Sequence, residues 1–492
     1  MSPWPNRVVT WGCGAALALG AWLAGCAINP VSGTPNLVMM SENQEIQLGR
    51  SNDPKIRAQF GVYEDEKLQA YVQQVGERIA AHSHRPDLVY RFTVIDTPDV
   101  NAFALPGGYI YITRGILAYL NSEAELAAVL GHEIGHVTAR HSVRQYSAAT
   151  AGQIAAAIFL RSQVAADLFN VIGNALLSGY GRDHELEADR LGAEYLARNG
   201  YDPDAMIGVI GVLKNQEEFE KVRAKAEGRE PHIYHGVFAS HPSADQRLQE
   251  VVGEAKKGKT EAATRTGRDE YLQHIDGLRY GDSPKAGVRY KSAFYHAELN
   301  FAVQFPDGWR LENSPKAVVA NSPEHDAMLQ LVAEDLNKRV TPEQYLKTRL
   351  KTDAIKNGGP VSGTTLPSYA GIARLSTKAF DQSSPRDVRA VVVYYGNRAY
   401  LFLGVAKTAE AFARDDARFL ATAASLHALR PDERKLAEGL RVRLVRTRPG
   451  DTFGKLATAS PVPAYAESVL RLINDKFPSG EPGAGDAIKT IQ

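Results

Sequence analysis

The chain has 492 residues, 44% of them hydrophobic and 23% charged. That is apolar content for roughly two to four globular domains, which excludes wholesale disorder and a fibrous build. Lysine plus arginine number 57 against 56 aspartate plus glutamate, so a net charge of +1 provides no global field for nucleic acid, and no nucleic-acid partner is expected. The only two cysteines, Cys13 and Cys26, cannot build a disulfide scaffold.

Residues 1–25 carry Arg7 and then an apolar stretch from Val8 to Leu23, the layout of a secretory signal peptide and too short for a membrane span. The stretch closes on Leu23-Ala24-Gly25-Cys26, which resembles the bacterial lipobox. The resemblance implies lipidation of Cys26, with each buried acyl methylene contributing about 0.8 kcal/mol to membrane anchoring. Ala27 follows the cysteine, and by resemblance to Gram-negative lipoproteins this implies an outer-membrane anchor with the body facing the periplasm.

From residue 41 to 252 helical apolar periodicity dominates, broken by strand-like stretches at 91–96 and 109–113, which predicts an α-rich domain with a small sheet. Residues 253–287 turn polar and read as a linker in which only 271–278 looks ordered. Residues 288–430 predict an α+β domain, with helices at 342–351 and 409–426 and a hairpin of 389–395 and 400–405 about Gly396-Asn397. Within it, Phe305-Pro306-Asp307-Gly308-Trp309 resembles the PsbP and Mog-like α/β/α fold and equally suits a turn between two strands. The last segment, 438–492, is a strand, turn and helix pattern whose Gly450-Asp451-Thr452 resembles the opening of a LysM module, implying contact with peptidoglycan glycans. The fold class is thus α+β.

The chemistry sits at His132-Glu133-Ile134-Gly135-His136, inside a buried helix predicted over 126–140. Spacing of four residues puts both imidazoles on one helical face, where they can reach a single ion with Glu133 beside it, the zincin arrangement. With 13 histidines in the chain the pattern arises by accident only roughly 0.02 times, so it is read as a site. Zinc takes nitrogen and oxygen ligands in a tetrahedral shell and keeps one position for water, so one Zn2+ per chain is expected and a third ligand is needed. A metzincin would carry glycine and histidine where Ala139 and Ser142 stand, and nothing acidic lies between Val137 and Ala166. The next acidic helix presents Glu185 and Asp189 one turn apart. Glu185 is therefore assigned as the zinc carboxylate and Asp189 as the acceptor that fixes a ligand imidazole's tautomer. Glu187 is expected to point to solvent, and His141 and His184 to be packing or surface residues. Gly135 costs its helix about 1 kcal/mol relative to alanine, which a close approach by another segment would explain. The apolar stretch 150–177 reads as a pair of core helices.

These features, with Asn101-Ala102-Phe103-Ala104-Leu105-Pro106-Gly107-Gly108 upstream and His241-Pro242 followed by Arg247 downstream, resemble the HtpX- and BepA-like zinc peptidases related to the CAAX prenyl proteases. The resemblance covers about 210 residues and implies zinc on His132, His136 and Glu185 with Glu133 as base. It implies a substrate edge strand formed by the stretch before Pro106 and the strand after Gly108, taking in Asn101, Ala102, Phe103, Ala104, Gly107 and Gly108. His241 and Arg247 are then candidates for oxyanion stabilisation, and His241 alternatively for a removable fourth zinc ligand in a resting state. No helical repeat of about 34 residues follows, so partners bound through such repeats are not implied. The expected activity is that of a zinc metalloendopeptidase acting on misfolded or misassembled envelope proteins. A non-proteolytic assembly factor and a peptidoglycan-associated scaffold are the alternatives, and an intact Glu133 argues against the former.

Overall fold

The computed structural model describes residues 26–38, 40–147, 180–228, 231, 253, 263–314, 317–377, 379–381 and 384–492. The expected signal peptide, the apolar stretch at 150–177, and His241 and Arg247 lie outside the described residues. The chain forms two compact units, one of Met1–Tyr280 with Arg441–Gln492 and one of Gly281–Leu440.

The first unit opens with a short antiparallel pair, β1 (Cys26–Ile28) and β2 (Pro35–Leu37). Helix α1 (Glu42–Phe60) follows, begun by a capping box between Ser41 and Gln44. Helix α2 (Glu66–Ala80), capped by Asp65, buries Leu68, Val72, Val75 and Ile79 along one stripe at helical spacing. A three-stranded sheet comes next: β3 (Arg91–Ile95), β4 (Ala102–Leu105) and β5 (Tyr109–Thr113), in the order β3-β5-β4. Strands β3 and β5 are parallel, β4 and β5 antiparallel.

This order corrects part of the expected substrate strand. The stretch before Pro106 is β4, at the edge of its sheet, but the strand after Gly108 is β5, paired on both sides. Gly107 and Gly108 make the turn between them at φ 79° and 87°. A side chain on Gly107 would run into the Ile46 backbone 2.6 Å away, and one on Gly108 into the Val89 carbonyl at 2.7 Å. Those two glycines are thus required by the turn itself.

Helices α3 (Arg114–Tyr119), α4 (Glu123–Thr138), α5 (Arg182–Arg198), α6 (Asp204–Ala226) and α7 (Arg268–Ile275) complete this part, closed by the short strand β6 (Arg279–Tyr280). Helix α4 is buried nearly all round, as a central core helix must be. Its first turn is pinned by Glu123, which accepts hydrogen bonds from Tyr71 (3.0 Å) and Tyr201 (2.6 Å) and pairs with Arg78 (3.0 Å) and Arg265 (2.6 Å). The segment expected to be a linker is in part structural: Tyr271, Leu272 and Ile275 of α7 are buried, and the Tyr271 hydroxyl donates to the Leu117 carbonyl at 2.6 Å.

The second unit is α+β. A four-stranded sheet is ordered β17-β9-β8-β7 from β7 (Val288–Tyr290), β8 (Ala293–His296), β9 (Phe301–Gln304) and β17 (His427–Ala428). A seven-stranded sheet is ordered β10-β11-β12-β16-β15-β14-β13 from β10 (Arg310–Ser314), β11 (Ala317–Asn321), β12 (Ala327–Asp335), β13 (Ile355–Gly359), β14 (Ser368–Thr377), β15 (Ser384–Tyr395) and β16 (Arg398–Ala406). Residues 305–309 form the turn between β9 and β10, and β15 and β16 are the hairpin about Gly396-Asn397, in register from Tyr395 with Arg398. Strand alternation puts Val391 and Val393 in a core with Phe419 of α9 (Ala409–Ala424), and Ala390 and Val392 in another with Leu346 of α8 (Pro342–Leu350).

After α10 (Pro431–Ala437) the chain returns to the first unit with β18 (Leu440–Arg446), α11 (Phe453–Thr458), α12 (Ala466–Ile473) and β19 (Ala487–Ile491). Strand β18 sits between β19 and β6, so the segment expected as a separate module at 438–492 folds together with the first unit. Lys489 shows why. Its buried ammonium nitrogen donates to the carbonyls of Ala118 (2.9 Å) and Leu120 (2.6 Å) at the end of α3, and burial pulls its pKa down to about 7. Lys489→Ala leaves two buried carbonyls without this donor and is expected to cost about 2–4 kcal/mol, read from urea unfolding by circular dichroism.

Glu123 gives a pH-dependent prediction. Burial disfavours its charge, but the hydrogen bonds from Tyr201 and Tyr71 and the charges of Arg265 and Arg78 prevail and hold its pKa below the usual carboxylate value. Its contribution is therefore fully present above the unfolded-state pKa of about 4.3 and is lost as pH falls through the lower folded value. Glu123→Gln is expected to lose about 2–3 kcal/mol at pH 7 and to lose less than wild type on further acidification, measured by denaturant unfolding at pH 7 and at pH 3.

Candidate metal centre and active site

The His132-Glu133-Ile134-Gly135-His136 motif lies in the C-terminal half of α4, and the acidic motif opens α5. The two helices pack at glycines: a Cβ on Gly131 would lie 3.4 Å from the Gly192 Cα, and one on Gly135 would lie 3.0 Å from the Ala188 carbonyl oxygen. This close approach is what Gly135 is for, and it brings Glu185 against the two histidines. His132 Nε2 and His136 Nε2 are 3.0 Å apart, and they lie 3.6 Å and 3.5 Å from the two carboxylate oxygens of Glu185. Bonds of about 2.0–2.1 Å in a tetrahedral shell separate ligand atoms by roughly 3.3 Å, so this trio fits one zinc ion. These three residues converge as a potential metal site, and all three are buried. Glu133, Glu185 and Asp189 place three carboxyl groups out of water in this small volume, a burial that a dication would offset.

His132 Nδ1 lies 2.8 Å from Asp189 Oδ1, so Asp189 faces the far side of one ligand imidazole. The far side of the other is met by a residue taken from sequence as mere packing. His136 Nδ1 is 2.8 Å from His141 Nδ1, and His141 Nε2 is 3.0 Å from Glu187 Oε2. Arg144 donates to that same carboxylate oxygen at 3.1 Å. Glu187 thus points inward, contrary to the solvent-facing position expected for it. The hydrogen bond from His141, aided by Arg144, holds its pKa at about 2. Burial lowers the His141 imidazole, which Glu187 only partly opposes. His184 stacks on His141 at 4.3 Å between ring centroids, and burial lowers its pKa to about 4. Tyr180 stacks on His136 at 4.0 Å.

His132 and Glu133 also line an apolar cavity with Ala102 of β4, Ile116 of α3, Val129 of α4 and Met206 of α6. The base candidate thus sits in a water-poor pocket that reaches an edge strand. Of the expected strand residues, Ala102, Phe103 and Ala104 lie in β4, while Asn101 precedes it and accepts through its carbonyl from the Thr113 amide at 3.0 Å.

The packing makes a prediction independent of ligand identity. Gly135→Val keeps all three ligands but drives a side chain into the Ala188 backbone. It is expected to weaken zinc binding at least about tenfold, while His136→Ala removes a ligand and is expected to abolish binding, both read by chelator competition and metal analysis.

Residues 66–255 match the model of Peptidase family M48. The chain is 28% identical over 240 residues to the Beta-barrel assembly-enhancing protease of Escherichia coli (strain K12), covering 46% of this chain and 47% of that protein. It is 35% identical over 187 residues to the Mitochondrial metalloendopeptidase OMA1 of Schizosaccharomyces pombe, covering 37% of this chain and 51% of that one. The chain spans about half the length of these curated relatives. Among solved structures, cyanobacterial PsbP from Synechocystis sp. PCC 6803 matches 29% of this chain and 94% of its own at 15% identity and a TM-score of 0.22, too slight to bear on the fold. The M48 match falls on the helices that hold the buried His132, His136 and Glu185, so the stretch similar to Peptidase family M48 is the one that carries the candidate metal site.

Proposed function

We propose that the chain is a zinc metalloendopeptidase of the bacterial envelope that cleaves unfolded or misassembled proteins. The observation that carries this reading is the convergence of His132, His136 and Glu185, with His132 and Glu133 lining a cavity that also takes in Ala102 of the edge strand β4. When bound, zinc supplies Lewis acidity that polarises a carbonyl and brings the pKa of a water near 7. Glu133 takes the proton from the attacking water and passes it to the leaving amine. Asp189 fixes the His132 tautomer, so that Nε2 presents its lone pair to the metal. The edge of β4 pairs with the main chain of an extended substrate, which favours unfolded polypeptide over any particular sequence. The apolar walls around Glu133 keep bulk water from the reacting groups. His241 and Arg247 complete the proposal as oxyanion partners, with His241 alternatively holding a resting state as a fourth ligand.

The envelope location is supported by the signal-like residues 1–25 and the lipobox-like Leu23-Ala24-Gly25-Cys26, through which Cys26 would anchor the protein at the outer membrane. No helix among the described residues is long and apolar enough to cross a membrane. A matched relative is named for enhancing β-barrel assembly, which suits misassembled envelope proteins as substrates. Contact with peptidoglycan through 438–492 belongs to the same proposal, supported by the turn at Gly450-Asp451-Thr452, whose threonine caps α11.

Casein cleavage and zinc content together test the reading. Glu133→Gln is expected to keep its zinc and lose activity by about 10²–10⁴-fold. A Gln variant that cleaves casein at the wild-type rate would remove Glu133 from the mechanism. His241→Ala separates the two roles of that residue: slower cleavage marks an oxyanion partner, and faster cleavage marks a resting-state ligand.

A further inference from the structure

We propose that His141 and Glu187 are positioning residues that orient the ligand imidazole of His136 through a directed hydrogen-bond chain anchored on Arg144. The proposal rests on the zinc-site reading and assigns to this chain of residues a task that Asp189 performs for His132. The proton positions follow from connectivity. His136 Nε2 faces His132 and Glu185, so a metal there needs its lone pair, and the ring proton sits on Nδ1. That Nδ1 is 2.8 Å from His141 Nδ1, which must therefore be the acceptor. His141 then carries its own proton on Nε2 and donates it to Glu187 Oε2 at 3.0 Å, and Arg144 donates to the same oxygen at 3.1 Å. Every donor in the sequence has one acceptor, so reversing any tautomer would set two N–H groups or two lone pairs against each other.

The backbone is shaped for this contact. On an uninterrupted helix a residue five positions on lies well away from the face of His136. Helix α4 ends at Thr138, and Arg140 adopts a left-handed φ of 57°, which turns His141 back onto the ligand. The same Arg140 is tied down by Glu45 at 3.0 Å and by the Met40 carbonyl at 2.9 Å. His141 is fully buried, and its ring is held by stacking on His184. The outcome is two ligand histidines with different supports, one backed directly by a carboxylate and one backed by a carboxylate through a neutral imidazole.

Zinc affinity, measured by competition with a chelating dye on the full chain, tests the proposal without recourse to catalysis, alongside the thermal midpoint of each metal-free variant. His141→Phe keeps a ring for stacking and removes the acceptor, and is expected to weaken zinc binding about 10–100-fold. Glu187→Gln, which changes no packing volume, is expected to weaken it by a smaller factor, and the double variant to match His141→Phe alone because the two act in series. A merely structural role would lower the metal-free midpoint and leave affinity unchanged. Wild-type affinity in Glu187→Gln and in any folded His141→Phe protein overturns the proposal; if His141→Phe does not fold, Glu187→Gln decides. Equal zinc binding by wild type and His136→Ala would instead sink the zinc-site reading itself, a result distinct from failure of the relay.

Discussion

The site depends on how closely two helices can approach. Gly131 and Gly135 on α4 meet Gly192 and Ala188 on α5 with no side chain between the backbones. Each glycine costs its helix about 1 kcal/mol of propensity. That expense is small against what it makes possible, since a carboxylate on one helix reaches across to two imidazoles on the other. A bulkier residue at Gly135 would move Glu185 away together with the whole of α5, because interiors this dense transmit displacement. The catalytic motif is thus as much a statement about packing as about chemistry.

Around that contact the polar residues act as clamps. Glu123 gathers α2, Tyr201 and Arg265 onto the first turn of α4, and Arg85 donates to the Val137 carbonyl in its last turn while pairing with Glu45. The active-site helix is therefore fixed at both ends by buried ionic groups, and the stretch between them is left to present ligands. Such fixed elements suit a hydrolytic centre, where small displacements of reacting groups are costly.

The two histidines and Glu133 were legible because a four-residue spacing has one structural meaning on a helix. Glu185 was legible by elimination, since nothing acidic lies between Val137 and Ala166 and the next acidic helix carries it. His141 and Glu187 were not, because their roles depend on the left-handed turn at Arg140, which neither composition nor periodicity announces. Strands β3 and β5 were visible as apolar runs, but their order was not, and so the strand after Gly108 was taken for an edge when it lies in the middle. The hairpin at Gly396-Asn397 was local and readable. The pairing of β18 with β6 was hidden because all of Gly281–Leu440 intervenes, and pairing across such a separation leaves no short-range pattern.

That intervening unit sets an order of events. Chains are synthesised from the N-terminus, and domains tend to fold as they emerge. The helices bearing the ligands come out early, yet Lys489, which secures the end of the helix carrying Ile116, comes out only after the entire second unit. The wall of the cleft around Ile116 is consequently fastened only once the whole of Gly281–Leu440 has been made, so the helices bearing the candidate ligands wait, incompletely braced, for a segment that lies beyond an entire second unit.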